Sequence, residues 1–309
     1  MIVLLQIGVY GLAGFVLAAT LSAILFARRP LLGVAQHWGL QLWWLALLGL
    51  VAAPIRGAWP AAIACLCCAL YWSLRIFRRP RPRVPAARPL LRLASANVAH
   101  FNRDHDCMLA ALAACAADVI ALVEVTPACR DRLRELDATH PHAVDSCDLS
   151  EKYGVLVRAR WPMTAVSRGG GGDGAPRHVS VRLQLETGAL DLMAVHLTNP
   201  IRRAHAHRIP GEIDDVIARA NRAGPDLVLC GDCNAAGWSS WLRRLEAATG
   251  LDNTRRLLPS WPVRLPPFLR LPIDHAWARG RAVVLTTRLG PETGSDHFPL
   301  LAEIGWRDG

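Results

Sequence analysis

Three apolar runs without a charged residue fill most of the first 74 positions, and they set the tightest limit on what this chain folds into. Residues 2–27 read IVLLQIGVYGLAGFVLAATLSAILFA, residues 38–55 read WGLQLWWLALLGLVAAPI, and residues 57–74 read GAWPAAIACLCCALYWSL. A bilayer core is crossed by about 20 apolar residues in a helix. A secretory leader would need a basic start, and Met1–Gln6 has none. Three such runs in succession do not suit a soluble core. The prediction is a transmembrane unit over residues 1–77, with helices near 2–27, 38–55 and 57–77. Trp43, Trp44, Trp59 and Trp72 lie within or near the span ends, where interfacial aromatics gather.

Charge separates this unit from the rest. Residues 1–83 hold eight Arg and no Asp, Glu or Lys, so removing them from the chain's +10 leaves +2 for residues 84–309. The later part therefore lacks the broad basic footprint of a non-specific DNA binder. Arg78, Arg79, Arg81 and Arg83 alternate with Pro80, Pro82 and Pro85, and Pro89 follows. Residues 78–89 read as a stiff basic linker. Its arginines suit anionic lipid head groups, with a nucleic-acid patch as the other reading. With three spans, Arg28 and Arg29 share a side with this cluster, and only Arg56 lies opposite. The positive-inside bias then predicts a multi-pass protein of a bacterial-type inner membrane with residues 84–309 in the cytoplasm. Nine cysteines, an odd number, exclude a fully paired disulfide framework.

From residue 90 to 309 short apolar runs alternate with amphipathic ones. Strands are predicted over 90–98, 118–125, 153–159, 178–186, 189–197, 226–232, 270–278, 281–289 and 299–306, and helices over 103–116, 127–136, 211–222 and 238–248. Pairs of strands at 178–197 and 270–289 suggest hairpins, hence two mixed sheets with helices outside. SRGGGGDG (167–174) reads as a flexible loop, and no G-K-[ST] follows to make it a phosphate loop.

Several strands end in polar residues: Asn97, Glu124, His196 and Asp232, with Asn234 two positions on. Asp274 and His275 lie in the 270–278 strand, and Asp296 and His297 precede the last one. Strand ends are where α/β scaffolds bring distant side chains together. Glu124, Asp232, Asp296 and the Asn97 amide offer oxygen ligands to Mg²⁺ or Mn²⁺. His297 is a candidate base if a carboxylate such as Asp274 fixes its other nitrogen, and His196 suits a phosphoryl oxygen or a leaving group. Around a divalent ion, such a set serves in-line attack of water on phosphorus. Singly, each residue has a plainer reading as a strand-end or turn residue. His205 and His207 read as a metal pair or as a solvated helix start. His100 and His105 border the pocket.

The segment 229-LCGDCNAAGWSSW-241 holds a C-x-x-C pair, Cys230 and Cys233, around Asp232. A redox pair should open a helix, whose dipole lowers a thiol pKa. Cys230 instead lies in a strand, so Asp232 and Asn234 are taken as the functional pair.

These pieces resemble the endonuclease/exonuclease/phosphatase superfamily, the DNase-I-like fold. They are SANV with Asn97, DVIALVEV with Glu124, AVHL with His196, GDCN with Asp232 and Asn234, PIDH with Asp274, and GSDHFPL with Asp296 and His297. They occur in the family's order over residues 91–304. The resemblance implies a four-layer α/β sandwich and metal-dependent phosphoester hydrolysis. It implies Glu124 as metal ligand with Asn97 beside it, and Asp296 by the metal or the neighbouring base. It further implies His297 as general base with Asp274 orienting it, His196 on the scissile phosphate, and Asp232 and Asn234 lining the site. Val123 stands where a Gln is usual, Cys233 where an aromatic is, and Ala96 where a Trp is common; none of these removes a polar catalytic group.

The family acts on DNA, RNA, inositol phosphates and sphingomyelin, so the fold alone does not choose a substrate. An anchored, nearly neutral domain favours a membrane-proximal phosphate, a lipid phosphate or lipid pyrophosphate. A membrane-tethered nuclease, with Arg177, Arg202, Arg203 and Arg208 as a local patch, is the alternative, and a non-catalytic binding module is a third. The architecture also resembles bacterial membrane-anchored members of the teicoplanin-resistance type, which work outside the membrane, opposite to the side given by the arginines.

Overall fold

Without a charged side chain on any face, residues 2–25 have no polar stripe to turn toward water, and they form one long helix. The computed structural model describes residues 2–29, 31–77, 87–172, 174–202, 204–253 and 258–307. The chain divides into two compact units, residues 1–82 with 238–240, and the remainder.

The first unit holds α1 (Ile2–Leu25), α2 (Gly39–Ile55) and α3 (Trp59–Ile76), which are long and apolar enough to cross a membrane. Small residues let the helices approach: Ala13, Ala53, Ala61 and Cys65 form one buried cluster, and Val16, Ala46, Cys68 and Ala69 another. Trp72 Nε1 donates to Thr20 Oγ1 at 3.0 Å and Trp43 Nε1 to Ser73 Oγ at 2.8 Å, so both indoles are satisfied inside the unit. Leu48, Val51, Ile55 and Ile63 are 58–74% exposed, an outward apolar surface suited to hydrocarbon. Most of the expected linker, residues 78–86, lies outside the described residues; residues 87–89 already belong to the first strand.

The second unit runs β1 (Ala87–Asn97), α4 (His105–Ala114), β2 (Val119–Val125), α5 (Pro127–Arg132), β3 (His142–Asp145), β4 (Gly154–Ala159), β5 (Met163–Gly172), β6 (Ala175–Leu185), β7 (Gly188–His196), α6 (Ile209–Arg222), β8 (Leu227–Asp232), α7 (Ser240–Thr249), β9 (Asp252–Asn253), β10 (Asp274–Arg279), β11 (Ala282–Leu289) and β12 (Leu300–Arg307). The strands make two six-stranded sheets, ordered β11-β12-β1-β2-β4-β3 and β5-β6-β7-β8-β10-β9. Each is mixed, with β1–β2 and β7–β8 parallel and the rest antiparallel.

Period-two alternation sends Leu93, Val119, Ala121 and Val157 from the first sheet, and Val181, Leu192 and Cys230 from the second, into one core. The opposite faces are covered by helices. Met108 and Leu112 of α4 pack on Ile120 and Leu122. Ile213 and Val216 of α6 and Leu242 and Leu245 of α7 pack with Met193, Val195 and Leu229. Helix, sheet, sheet and helix give the expected four layers. Asp104 caps α4, accepting from Cys107 N at 3.0 Å.

Two expectations are overturned. The glycine run at 167–174 is not a loop between strands: Ser167–Gly170 and Gly172 pair with β6 in an antiparallel ladder. Its glycines reflect close approach rather than freedom. A Cβ on Gly169 would lie 2.6 Å from the His178 ring, and one on Gly170 2.5 Å from the Leu149 carbonyl oxygen. The strands at 270–289 do not form a hairpin within one sheet. β10 pairs with β8 and β9, whereas β11 pairs with β12 in the other sheet. The strand expected from 270 starts at Asp274, and β3 carries no strong alternation to announce it.

Candidate active site

A single row across three strands builds half of the site. Asp232 at the end of β8 is in register with His196 of β7 and with Asp274 of β10, so the three side chains share one face. They continue the inward faces marked by Ala194, Cys230 and Ala276. Gly231 allows this pairing: its φ is 136°, and a Cβ there would collide with the Val195 carbonyl oxygen. Asn234, at φ 48°, folds back so that its amide nitrogen donates to Leu197 O at 2.9 Å and its backbone N–H to Asp232 Oδ1 at 2.8 Å.

The other sheet supplies Asn97 and Glu124 through an irregularity. Val119, Ala121 and Val123 point into the core, so regular alternation would turn Glu124 outward. The ladder between β2 and β4 slips between Val123 and Val125, and Glu124 takes φ 60°. This bulge re-aims the carboxylate into the cavity. A non-glycine residue in the left-handed region is costly and persists where its surroundings over-determine it. Here the surroundings are His100, whose N–H donates to Glu124 Oε2 at 3.0 Å and whose ring Nδ1 lies 2.6 Å from that oxygen, and the Asn97 amide nitrogen, which donates to Oε1 at 3.1 Å. Asn97 also donates to Asp232 Oδ2 at 3.0 Å, while its own oxygen accepts from Ala99 N at 2.9 Å. Asn97 therefore braces two carboxylates through nitrogen, and its oxygen is engaged elsewhere.

The segment before β12 closes the site. Ser295 Oγ donates to Asn97 O at 2.7 Å and accepts from His297 N at 3.1 Å. His297 Nδ1 donates to Asp274 Oδ2 at 2.9 Å, and Ser260 Oγ donates to the same oxygen at 2.6 Å. The opposite ring nitrogen, Nε2, faces Asp232 Oδ2 at 3.8 Å. Asp296 accepts from Trp261 Nε1 at 2.8 Å. The eight residues expected at the site fall into this one neighbourhood. All but Asp274, which sits behind His297, line a cavity of about 280 Å³.

Burial and neighbouring charge set the protonation of the group. Burial pulls His297 down, but Asp274 and Asp232 outweigh it and push it up to about 10. Burial, with Asp274 adding to it, pushes Asp232 up to about 7 against the pull of His297. Burial also opposes ionisation of Glu124, yet His196, His100 and Asn97 hold it at about 2. His196 is driven by burial down to about 4. The resting pocket thus holds an anionic Glu124, a neutral His196, and a proton on His297 beside Asp232.

The residues fit a hard divalent cation. Asp232, Asp274 and His297 each offer a ligand atom within 4.8 Å of the others, and Glu124, Asp232 and Asp296 line the same cavity. His196 turns Nε2 toward the same carboxylates, 3.6 Å from Glu124 Oε1 and 3.8 Å from Asp232 Oδ2.

Four contributors escaped sequence reasoning. His100 grips Glu124 rather than merely bordering the pocket. Tyr153 and Trp261 line the cavity, and Ser260 holds Asp274 from an irregular segment without a pattern to read. Of the remaining histidines, His205 reaches the cavity wall and His207 does not. His140 bonds the Ala117 carbonyl and His275 the Ala235 carbonyl, both structural tasks. Cys230 and Cys233 are buried free thiols in apolar clusters, pushed up by burial, and no redox pair is formed.

Solved structures with this fold include an endonuclease/exonuclease/phosphatase from Beutenbergia cavernae at 20% identity, covering 71% of this chain and 72% of that one with a TM-score of 0.59. D. rerio TDP2 complexed with a single-strand DNA product is similar at 13% identity, with 69% and 98% covered and a TM-score of 0.56. Sphingomyelinase C from Streptomyces griseocarneus is similar at 16% identity, with 70% and 99% covered and a TM-score of 0.52. No match was found among curated proteins. The model of the Endonuclease/Exonuclease/phosphatase family matches residues 94–297, from the middle of β1 to His297. Fold and matched span agree: the chain belongs to the Endonuclease/Exonuclease/phosphatase family, whose members hydrolyse phosphoester bonds in a generally divalent-metal-dependent way.

Proposed function

We propose that this chain is a membrane-anchored, metal-dependent phosphoester hydrolase acting on a membrane-proximal substrate, a lipid phosphate or lipid pyrophosphate. The observation that carries the chemistry is the His196–Asp232–Asp274 row facing Glu124, with His297 Nδ1 2.9 Å from Asp274. The three apolar helices and the near neutrality of residues 84–309 support the substrate side.

His297 and Asp232 hold one proton between them and form the unit that takes a proton from attacking water. Asp274, fixed by Ser260, sets the ring orientation. Neutral His196 offers Nε2, the nitrogen that faces Glu124 and Asp232, to a phosphoryl oxygen. Asn234 holds the backbone turn after Asp232, and Asn97 keeps Glu124 and Asp232 apart yet adjacent. Mg²⁺ or Mn²⁺, held by Glu124 with Asp296 and Asp232 at hand, supplies positive charge for the phosphate oxygens when bound.

The test is a hydrolysis panel with Mg²⁺ on the detergent-solubilised full chain: polyprenyl pyrophosphate, phosphoinositide, sphingomyelin and plasmid DNA. Turnover of a lipid substrate, abolished by chelation and by His297→Ala, is expected. DNA nicking that the same substitution removes, with no lipid turnover, overturns the reading in favour of a tethered nuclease.

A further inference from the structure

One wall of the cavity carries cationic groups that the hydrolytic machinery does not use. The Tyr153 ring lies beside two of the site's imidazoles, its centroid 5.0 Å from His100 and 6.1 Å from His196. The Arg177 guanidinium sits over the same ring, 4.6 Å from its centroid. Arg202 Nη1 donates to the Tyr153 hydroxyl at 3.0 Å. One aromatic side chain thus positions two guanidinium groups at the edge of the reaction centre, and all three residues line the cavity.

Among the described residues no carboxylate lies within ion-pair distance of either guanidinium; burial weakens the charge on Arg177, and Glu212 and Glu124 support it from further away. A partly desolvated guanidinium is stabilised when an anion completes its charge. The loop that carries Arg202 is held in place. Glu212, 1% exposed, accepts from Thr198 N at 2.8 Å and from Thr198 Oγ1 at 2.6 Å, and Arg202 N donates to Asn199 O at 3.2 Å. Arg177 is half-buried in the wall and Arg202 stands exposed at its rim, tied to the Tyr153 hydroxyl.

We propose that Arg177 and Arg202, spaced by Tyr153, form a second anion subsite that seats the terminal phosphoryl group of a pyrophosphate substrate. This rests on the reading of the site as a phosphoester hydrolase. Two guanidinium groups held against one aromatic side chain suit a dianionic terminal phosphate better than the single charge of a chain phosphodiester. Water adds to the inner phosphorus and gives its proton to the His297–Asp232 pair. The bridging P–O bond breaks, and the terminal phosphate leaves with the electron pair, its charge met by the two arginines. A phosphomonoester and inorganic phosphate result. Arg177 and Arg202 are then specificity residues, whereas His297 and Asp232 serve any phosphoester.

The experiment uses the full chain in detergent micelles with Mn²⁺. It compares farnesyl pyrophosphate with bis(p-nitrophenyl) phosphate, a diester lacking a second phosphoryl group, and with a single-stranded oligonucleotide. For Arg202→Ala the ratio of kcat/KM for the pyrophosphate over that for the diester is expected to fall about tenfold or more, as for loss of a charge-assisted hydrogen bond. Arg202→Lys restores part of the ratio through KM. A smaller fall overturns the subsite, and so does a selective loss of oligonucleotide cleavage. If wild type cleaves the diester but not the pyrophosphate, the subsite fails while the hydrolase reading stands. If His297→Ala keeps full activity on every substrate, the hydrolase reading itself fails and takes the subsite with it.

Discussion

Asn97, at the end of a strand in one sheet, donates through its amide nitrogen to Asp232, at the end of a strand in the other, across 3.0 Å. The same nitrogen reaches Glu124 at 3.1 Å, so one side chain joins the two halves of the site. Asn97→Ala leaves two buried carboxylates short of a donor. The expected cost is about 1–3 kcal/mol in denaturant unfolding. Mn²⁺ affinity, read by calorimetric titration, should drop about 10–100-fold, the usual effect of losing a group that orients a ligand. Unchanged affinity would remove Asn97 from any metal-positioning role.

Asp274 touches His297 and does not line the cavity, so it acts through the ring and through its charge on Asp232. Asp274→Asn keeps the shape and loses the charge that favours the protonated imidazole. A fall in kcat of about 100- to 10,000-fold is expected, with KM little changed. Ser260→Ala, one bond further out, should cost about 10–100-fold. Rates within a factor of a few of wild type for both variants would show that the ring needs no such support.

Gly231→Ala tests the register that aligns His196 with Asp232. The added methyl meets the Val195 carbonyl oxygen and sits at an unfavourable φ of 136°. Destabilisation of about 3 kcal/mol is expected. The readout is the denaturant midpoint of the full chain's unfolding, followed by tryptophan fluorescence. A wild-type midpoint would mean that β7 and β8 separate without penalty.

The His297 proton gives a pH signature. Its folded value of about 10 lies above the ordinary 6.5, so the stability it contributes is fully present below 6.5 and is lost as pH rises toward 10. In metal-free protein the Tm gap between wild type and His297→Gln should be widest near pH 6 and shrink steadily up to pH 10. A gap that widens with pH contradicts the sign.

What the sequence disclosed follows from how each feature is encoded. Strands 178–186 and 189–197 were legible from period-two alternation, 118–125 from a continuous apolar run buried on both faces, and GDCN and GSDHF because polar groups interrupt apolar runs. The glycine strand was not, since glycine's low strand preference speaks louder than the close approach of Leu149 and His178 that selects it. The passage from β10 to β11 was misread because a short turn looks alike whether the chain stays in one sheet or crosses to the other. Ser260 reaches the site from outside any periodic pattern and Tyr153 from the first position of an expected strand, where nothing marks it as facing the cavity, so only the folded arrangement reveals them.

The slip at Glu124 also carries a lesson for engineering and for reading natural variation. Because strand side chains point alternately up and down, one residue more or fewer beside position 124 would turn the acid toward α4 and α5, away from the cavity. Such a length change would leave hydropathy, composition and most of the sheet intact while emptying the reaction centre of its most acidic group. In this architecture, loss of activity needs no altered side chain at all; miscounting by one suffices.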